Sequence, residues 1–91
     1  MLFAAVLKIK AGTSQERVAR RMKWKIPGGM KPVAEYWLQT VDPHVISIFE
    51  ADSVAPIMEI FAGWDDFFDI TVTPAVTAED GLERAKQMMQ E

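Results

Sequence analysis

One histidine, His44, stands in the stretch "EYWLQTVDPHVISIFEAD" (35–52), between Glu35 and Glu50 in sequence. A neutral imidazole can serve as a base or a metal ligand near pH 7. Metal binding generally needs several such ligands, and the chain has no second histidine and no cysteine. His44 follows Asp42-Pro43, a bend signal, so it reads first as a turn residue of a hairpin. "WDDFFD" brings Asp65, Asp66 and Asp69 together, oxygens that suit Mg²⁺ or Ca²⁺. No twelve-residue calcium loop surrounds them, which favours a polar helix-to-strand loop. Arg17, Arg20, Arg21 and Trp24, with Lys8 and Lys10, offer an anion or nucleic-acid patch. A sheet that reads RNA needs a basic-Gly-aromatic signature, and "HVISIFEAD" lacks it. The simpler reading is a solvated helix face with arginine stacked on tryptophan. "IPGG" is a turn, with no Gly-Lys-Ser after it to cradle phosphate.

The richest constellation alternates along strands. Glu35, Trp37, Gln39, Ser47, Thr71 and Thr73, with Asp69, make a mixed polar and aromatic face. Such a face suits a cavity that holds a small molecule, and the first six are the candidate ligand-binding residues. The competing reading is that they make polar contacts between subunits. No catalytic residue, metal ligand or cofactor is assigned.

These residues need elements to position them. Leu2–Ile9 is apolar at Phe3, Ala5, Leu7 and Ile9, and also at Leu2, Ala4 and Val6. That is the pattern of a central strand with both faces covered. Thr13 and Glu16 form a capping box, opening a helix that ends near Trp24 or Lys25, before Pro27-Gly28-Gly29. At 100° per residue Val18, Ala19, Met22 and Ile26 share the stripe expected to face the core. The arginines and Trp24 then face solvent. A second strand is expected over 32–40 and a third over 44–51. With Thr40 opposite His44, Leu38 faces Ile46, Tyr36 faces Ile48 and Ala34 faces Glu50. On the other side Gln39 meets Val45, Trp37 meets Ser47 and Glu35 meets Phe49. A one-residue slip would move every partner. A second helix follows Asp52 or Ser53 as cap, with Pro56 in its first turn and Gly63 as a candidate end. A fourth strand over 67–76 sets Phe68, Ile70 and Val72 against Asp69, Thr71 and Thr73. Thr77 caps a last helix whose stripe is Ala78, Leu82, Ala85 and Met89.

The order β-α-β-β-α-β plus a tail helix is the ferredoxin-like split βαβ, an α+β fold with an antiparallel four-stranded sheet. It makes one domain over 1–91, with a core over 1–76 and a C-terminal helix over 77–91. The composition points to association. Apolar residues are 49% of 91, including three tryptophans and five phenylalanines. A domain this small buries a limited share of its surface. Helices cover one sheet face only, and Leu2, Ala4 and Val6 leave the other apolar, so a second copy is expected there. Charge is uneven. Residues 1–45 carry eight Lys/Arg against three Asp/Glu, a net of +5; residues 46–91 carry two against ten, a net of −8. The two halves can complement each other within one fold or across a dimer. The overall net of −3 and pI near 5.1 give no general pull toward nucleic acid or membrane. The first apolar run is too short for a signal peptide, and no stretch reaches the length of a membrane span, so the expected location is the cytoplasm.

Several stretches resemble one known group: "MLFAAVLKIKAGTSQE", the strand with "EYW", "FEADS", "FAGWDDFF" and "ITVTPAV". They look like short prokaryotic proteins of unknown function in the dimeric α/β-barrel superfamily, over most of residues 1–76. The resemblance implies a ferredoxin-like fold and a homodimer or larger homo-oligomer. It names no reaction, because the superfamily includes cofactor-free monooxygenases, haem-degrading enzymes, lyases and proteins without known activity. His44 is not where a haem-degrading relative would place its iron ligand. The leading expectation is a homodimer that binds a small ligand in a cavity between sheets. The alternatives are a cofactor-independent, monooxygenase-like enzyme acting on an apolar substrate with Glu35 or His44 as base, and an interaction module using the basic helix face.

Overall fold

Strand β1 (Leu2–Ile9) occupies the interior position that its two apolar faces require. In the computed structural model, which describes residues 1–90, it is followed by α1 (Ser14–Lys23), β2 (Met30–Trp37), β3 (Val45–Ala51), α2 (Ala55–Trp64), β4 (Phe68–Ala75) and α3 (Ala78–Met89). Glu91, the last residue of the expected tail helix, lies outside the described residues. The four strands form one antiparallel sheet in the order β2-β3-β1-β4. This is the expected ferredoxin-like α+β fold, with α3 added at the end.

Alternation sorts the side chains. Ala5, Leu7, Phe49, Ala51 and Phe68 point to the helix side and, with Ile60 and Trp64 of α2, form the buried core. Phe3 stacks on Phe49 with ring centroids 5.7 Å apart. On the other side Ala4 pairs with Ile48 and Thr73, and Val6 with Ile46 and Thr71.

The β2–β3 register differs from expectation by two residues. Trp37 is opposite Val45, Tyr36 opposite Ile46, Glu35 opposite Ser47 and Ala34 opposite Ile48. A slip of two keeps every side chain on its expected face, since the period of a strand is two. The cause is the turn. Leu38 N–H donates to His44 O at 2.7 Å, and the Thr40 hydroxyl donates to Pro43 O. Thr40 is therefore inside the bend and cannot close the ladder. A bulge between Pro32 and Ala34 leaves Val33 without a partner.

Two positions require glycine, one at a turn and one inside a helix. Gly12 links β1 to α1 at φ 81°, where a side chain would be strained and would strike Phe67. Gly63 lies inside α2, which runs on to Trp64, because a Cβ there would fall on the Trp24 ring. Thr13 and Glu16 make both bonds of the capping box, at 3.1 and 3.0 Å. The start of α2 departs from expectation. Val54 takes the cap position, with no capping side chain.

The orientation of α1 is a correction. Val18 and Met22 are 38% and 82% exposed. Arg17, Arg20, Arg21 and Trp24 are half-buried and face inward. Each inward group has a partner outside the helix. Arg20 lies 3.9 Å from the centroid of the Phe67 ring and binds Asp66. Trp24 packs edge-on against Trp64 at 5.8 Å. Guanidinium stacking, the bonds to Asp66 and the Trp24–Trp64 contact together seat α1 in this orientation.

Candidate functional site

A cleft of about 230 Å³ runs between α1 and the helix-side face of the sheet. Its strand wall carries Leu7, Glu35, Trp37, Val45 and Ser47. Its helix wall carries Arg17, Val18, Arg21 and Trp24. Trp64 and Phe68 close part of it with aromatic surface, and the bend supplies Gln39 and His44.

Four of the six candidate ligand residues, Glu35, Trp37, Gln39 and Ser47, meet in this cleft. Thr71 and Thr73 do not. They are opposite Val6 and Ala4 on the other sheet face, as is Asp69, opposite Lys8. The expected single face is thus two faces. β4 joins the sheet beside β1, and its in–out phase follows from that pairing, which no local pattern reveals. The four remaining residues also lie beneath a helix of their own chain, and not on the face open to a second sheet.

Glu35 is the polar centre. Trp37 Nε1–H donates to its Oε2 at 2.6 Å, while Arg21 reaches it with Nη2 at 3.3 Å and Nε at 3.4 Å. These donors fix the carboxylate and the plane of the Trp37 indole.

His44 belongs to the bend and also lines the cleft. Its Nδ1 is 2.8 Å from Thr40 O, a carbonyl that can only accept, so Nδ1 carries the proton. In the neutral ring Nε2 is then the free acceptor. The ring lies nearly parallel to Phe68, with centroids 6.4 Å apart.

The basic and acidic clusters do other work. Arg20 holds Asp66 by two bonds of 2.6 and 2.9 Å, and donates to Gly63 O at 3.0 Å. The bond from Arg20 keeps the Asp66 carboxyl below its usual range, and Asp66 in turn raises the pKa of Arg20. Asp65, Asp66 and Asp69 do not converge. Among the described residues no group of three or more His, Cys, Asp or Glu side chains is placed to hold a metal ion.

Arg17, Arg21 and Trp24 were expected on a solvent patch, yet they form a wall of the cleft. The signal in the sequence is their spacing of four and three residues, one stripe with no carboxylate on it. The partners of Arg21 and Trp24, Glu35 and Trp64, lie farther along the chain, so the stripe alone does not say which way it turns.

No helix among the described residues is long and apolar enough to cross a membrane. Comparison with curated proteins and with solved structures gives no significant match. A family model matches residues 1–89: the chain belongs to DUF3303, a domain of unknown function.

Proposed function

We propose that the protein is a homodimer in which each copy binds a small, largely apolar molecule in the cleft under α1. The observation that carries this reading is the cleft itself. Three tryptophans and Phe68 line it, while Glu35, Gln39, Ser47 and His44 supply a few fixed polar groups. That mixture of aromatic wall and sparse polar points is the usual make-up of a ligand site. The volume, about 230 Å³, is below the roughly 300–1,000 Å³ of drug-sized sites, so a one- or two-ring molecule fits best. Arg20 and Arg21 are already paired with Asp66 and Glu35, which leaves little of the helix face for a nucleic-acid phosphate.

The test is calorimetric titration with a neutral two-ring probe, 2-naphthamide. Binding is expected in the wild type. It is expected to weaken about tenfold or more in Trp37→Ala, with the circular dichroism spectrum unchanged, because an aromatic contact is lost. A wild type that binds neither this probe nor any charged isostere of it removes the cleft reading.

One observation favours a second reading. His44 presents Nε2 as a free acceptor with its tautomer fixed by Thr40 O. It could take a proton from a bound substrate without a metal or cofactor. In that case His44→Asn keeps the binding of a substrate and loses its turnover. If the ligand is only bound, the wild type turns nothing over and His44→Asn alters binding alone, with stability close to that of the wild type.

A further inference from the structure

We infer that the cleft selects a monoanion, a planar aromatic carboxylate, and that Arg17 is the residue that recognises its charge. This rests on the cleft reading above and names the ligand class for it.

The argument is one of charge and hydrogen bonding. The cleft wall contains two guanidinium groups, Arg17 and Arg21, and one carboxylate, Glu35. Glu35 is taken by Arg21 and Trp37. Arg17 has no carboxylate partner among the described residues. The guanidinium of Arg17 is therefore left without a compensating carboxylate in the wall. Arg17 is held in place: its Nη1 donates to Ala11 O at 3.2 Å and to Gly12 O at 2.8 Å. Its other N–H groups donate to nothing among the described residues, and Nε is closed off from solvent without an acceptor. A half-buried guanidinium held by two carbonyls and without a carboxylate partner favours an anion beside it. With Nη1 taken by the two carbonyls and Nε enclosed, Nη2 is the donor left to meet the carboxylate. The rest of the wall, Trp24, Trp37, Trp64 and Phe68, offers flat apolar surface for a ring. One ring system with one carboxylate satisfies both halves of the site.

The probe pair is 2-naphthoate and its isosteric amide, 2-naphthamide, titrated calorimetrically into the full chain at low and physiological salt. The carboxylate is expected to bind at least about tenfold tighter than the amide, the scale of a charge-assisted hydrogen bond. Arg17→Gln should bring the carboxylate down close to the affinity of the amide, and should weaken the amide far less than the carboxylate. Arg17→Lys keeps the charge and should retain part of the preference. It also guards against misfolding, since Arg17→Gln loses two carbonyl contacts at the start of α1. If both ligands bind equally to the wild type, the charge inference is overturned and the cleft reading stands. If the preference survives Arg17→Gln in a folded protein, the assignment to Arg17 is overturned. If neither ligand binds, both readings fall.

Discussion

Arg20 and Asp66 show how a single pair can hold two helices to one loop. Arg20 is on α1, accepted by Gly63 O at the end of α2 and by Asp66 just beyond it, with its guanidinium over Phe67. Replacing Arg20 by Lys keeps the charge but loses the bidentate fork and the flat stack. The pair also predicts an acid response. Asp66 has a folded pKa below its unfolded one. Its contribution is therefore present above the unfolded value, about pH 4, and is lost as the pH falls through the folded value. Asp66→Asn should lower the melting temperature at pH 7 by a few degrees at most, because the pair is solvent-screened. The difference between variant and wild type should shrink to nothing in strong acid. A constant difference at every pH would mean that Asp66 acts through packing and not through charge.

At the scale of elements, Gly63 tests how α1 and α2 meet. Alanine is the better helix former by about 1 kcal/mol. At Gly63, however, an added methyl group collides with the ring of Trp24, which rests against Trp64. Overpacking of that kind costs roughly 1–3 kcal/mol. We expect Gly63→Ala to be destabilised in urea denaturation despite its propensity, and a stabilised variant would show that Trp24 is not seated there. The same contact explains what could be read from the chain and what could not. Strands and helices were legible, because alternation around Leu2–Ile9 and the Thr13–Glu16 box are local signals. The faces of β2 and β3 were legible too, although their pairing slipped by two at the Thr40 turn. The facing of α1 was not. Met22 of its apolar stripe lost the inward side to Arg20 and Trp24, whose partners Asp66, Gly63 and Trp64 are about forty residues away in sequence. The phase of Thr71 and Thr73 was hidden for the same reason, being set by the β1–β4 ladder and not by β4 itself.

The whole molecule is longer than its residue count requires. Its radius of gyration is 15.3 Å and its extents are 52 × 29 × 17 Å. A compact domain of this length has a radius near about 12 Å. α3 adds length without adding core: it has no buried residue, and Leu82 and Met89 are 60% and 87% exposed. The open sheet face is equally unfinished. Leu2, Ala4, Val6, Ile46 and Ile48 are half-buried there, and Tyr36 beside them is 63% exposed. Apolar surface on both a sheet face and a projecting helix supports the proposal that a second copy covers it. We expect a dimer by light scattering at micromolar concentration. Val6→Asp puts a charge at the centre of that face, where an unpaired buried charge costs several kcal/mol. It should dissociate or unfold the protein. Tyr36→Asp separates these two effects, because Tyr36 contributes little to the core of one copy. It should give a folded monomer with a native circular dichroism spectrum, and cleft binding should survive, since the cleft lies on the opposite face of the sheet. A wild type that is a stable monomer at that concentration would sink the proposal. A Tyr36→Asp protein that remains a dimer would move the contact elsewhere, to the exposed stripes of α1 and α3.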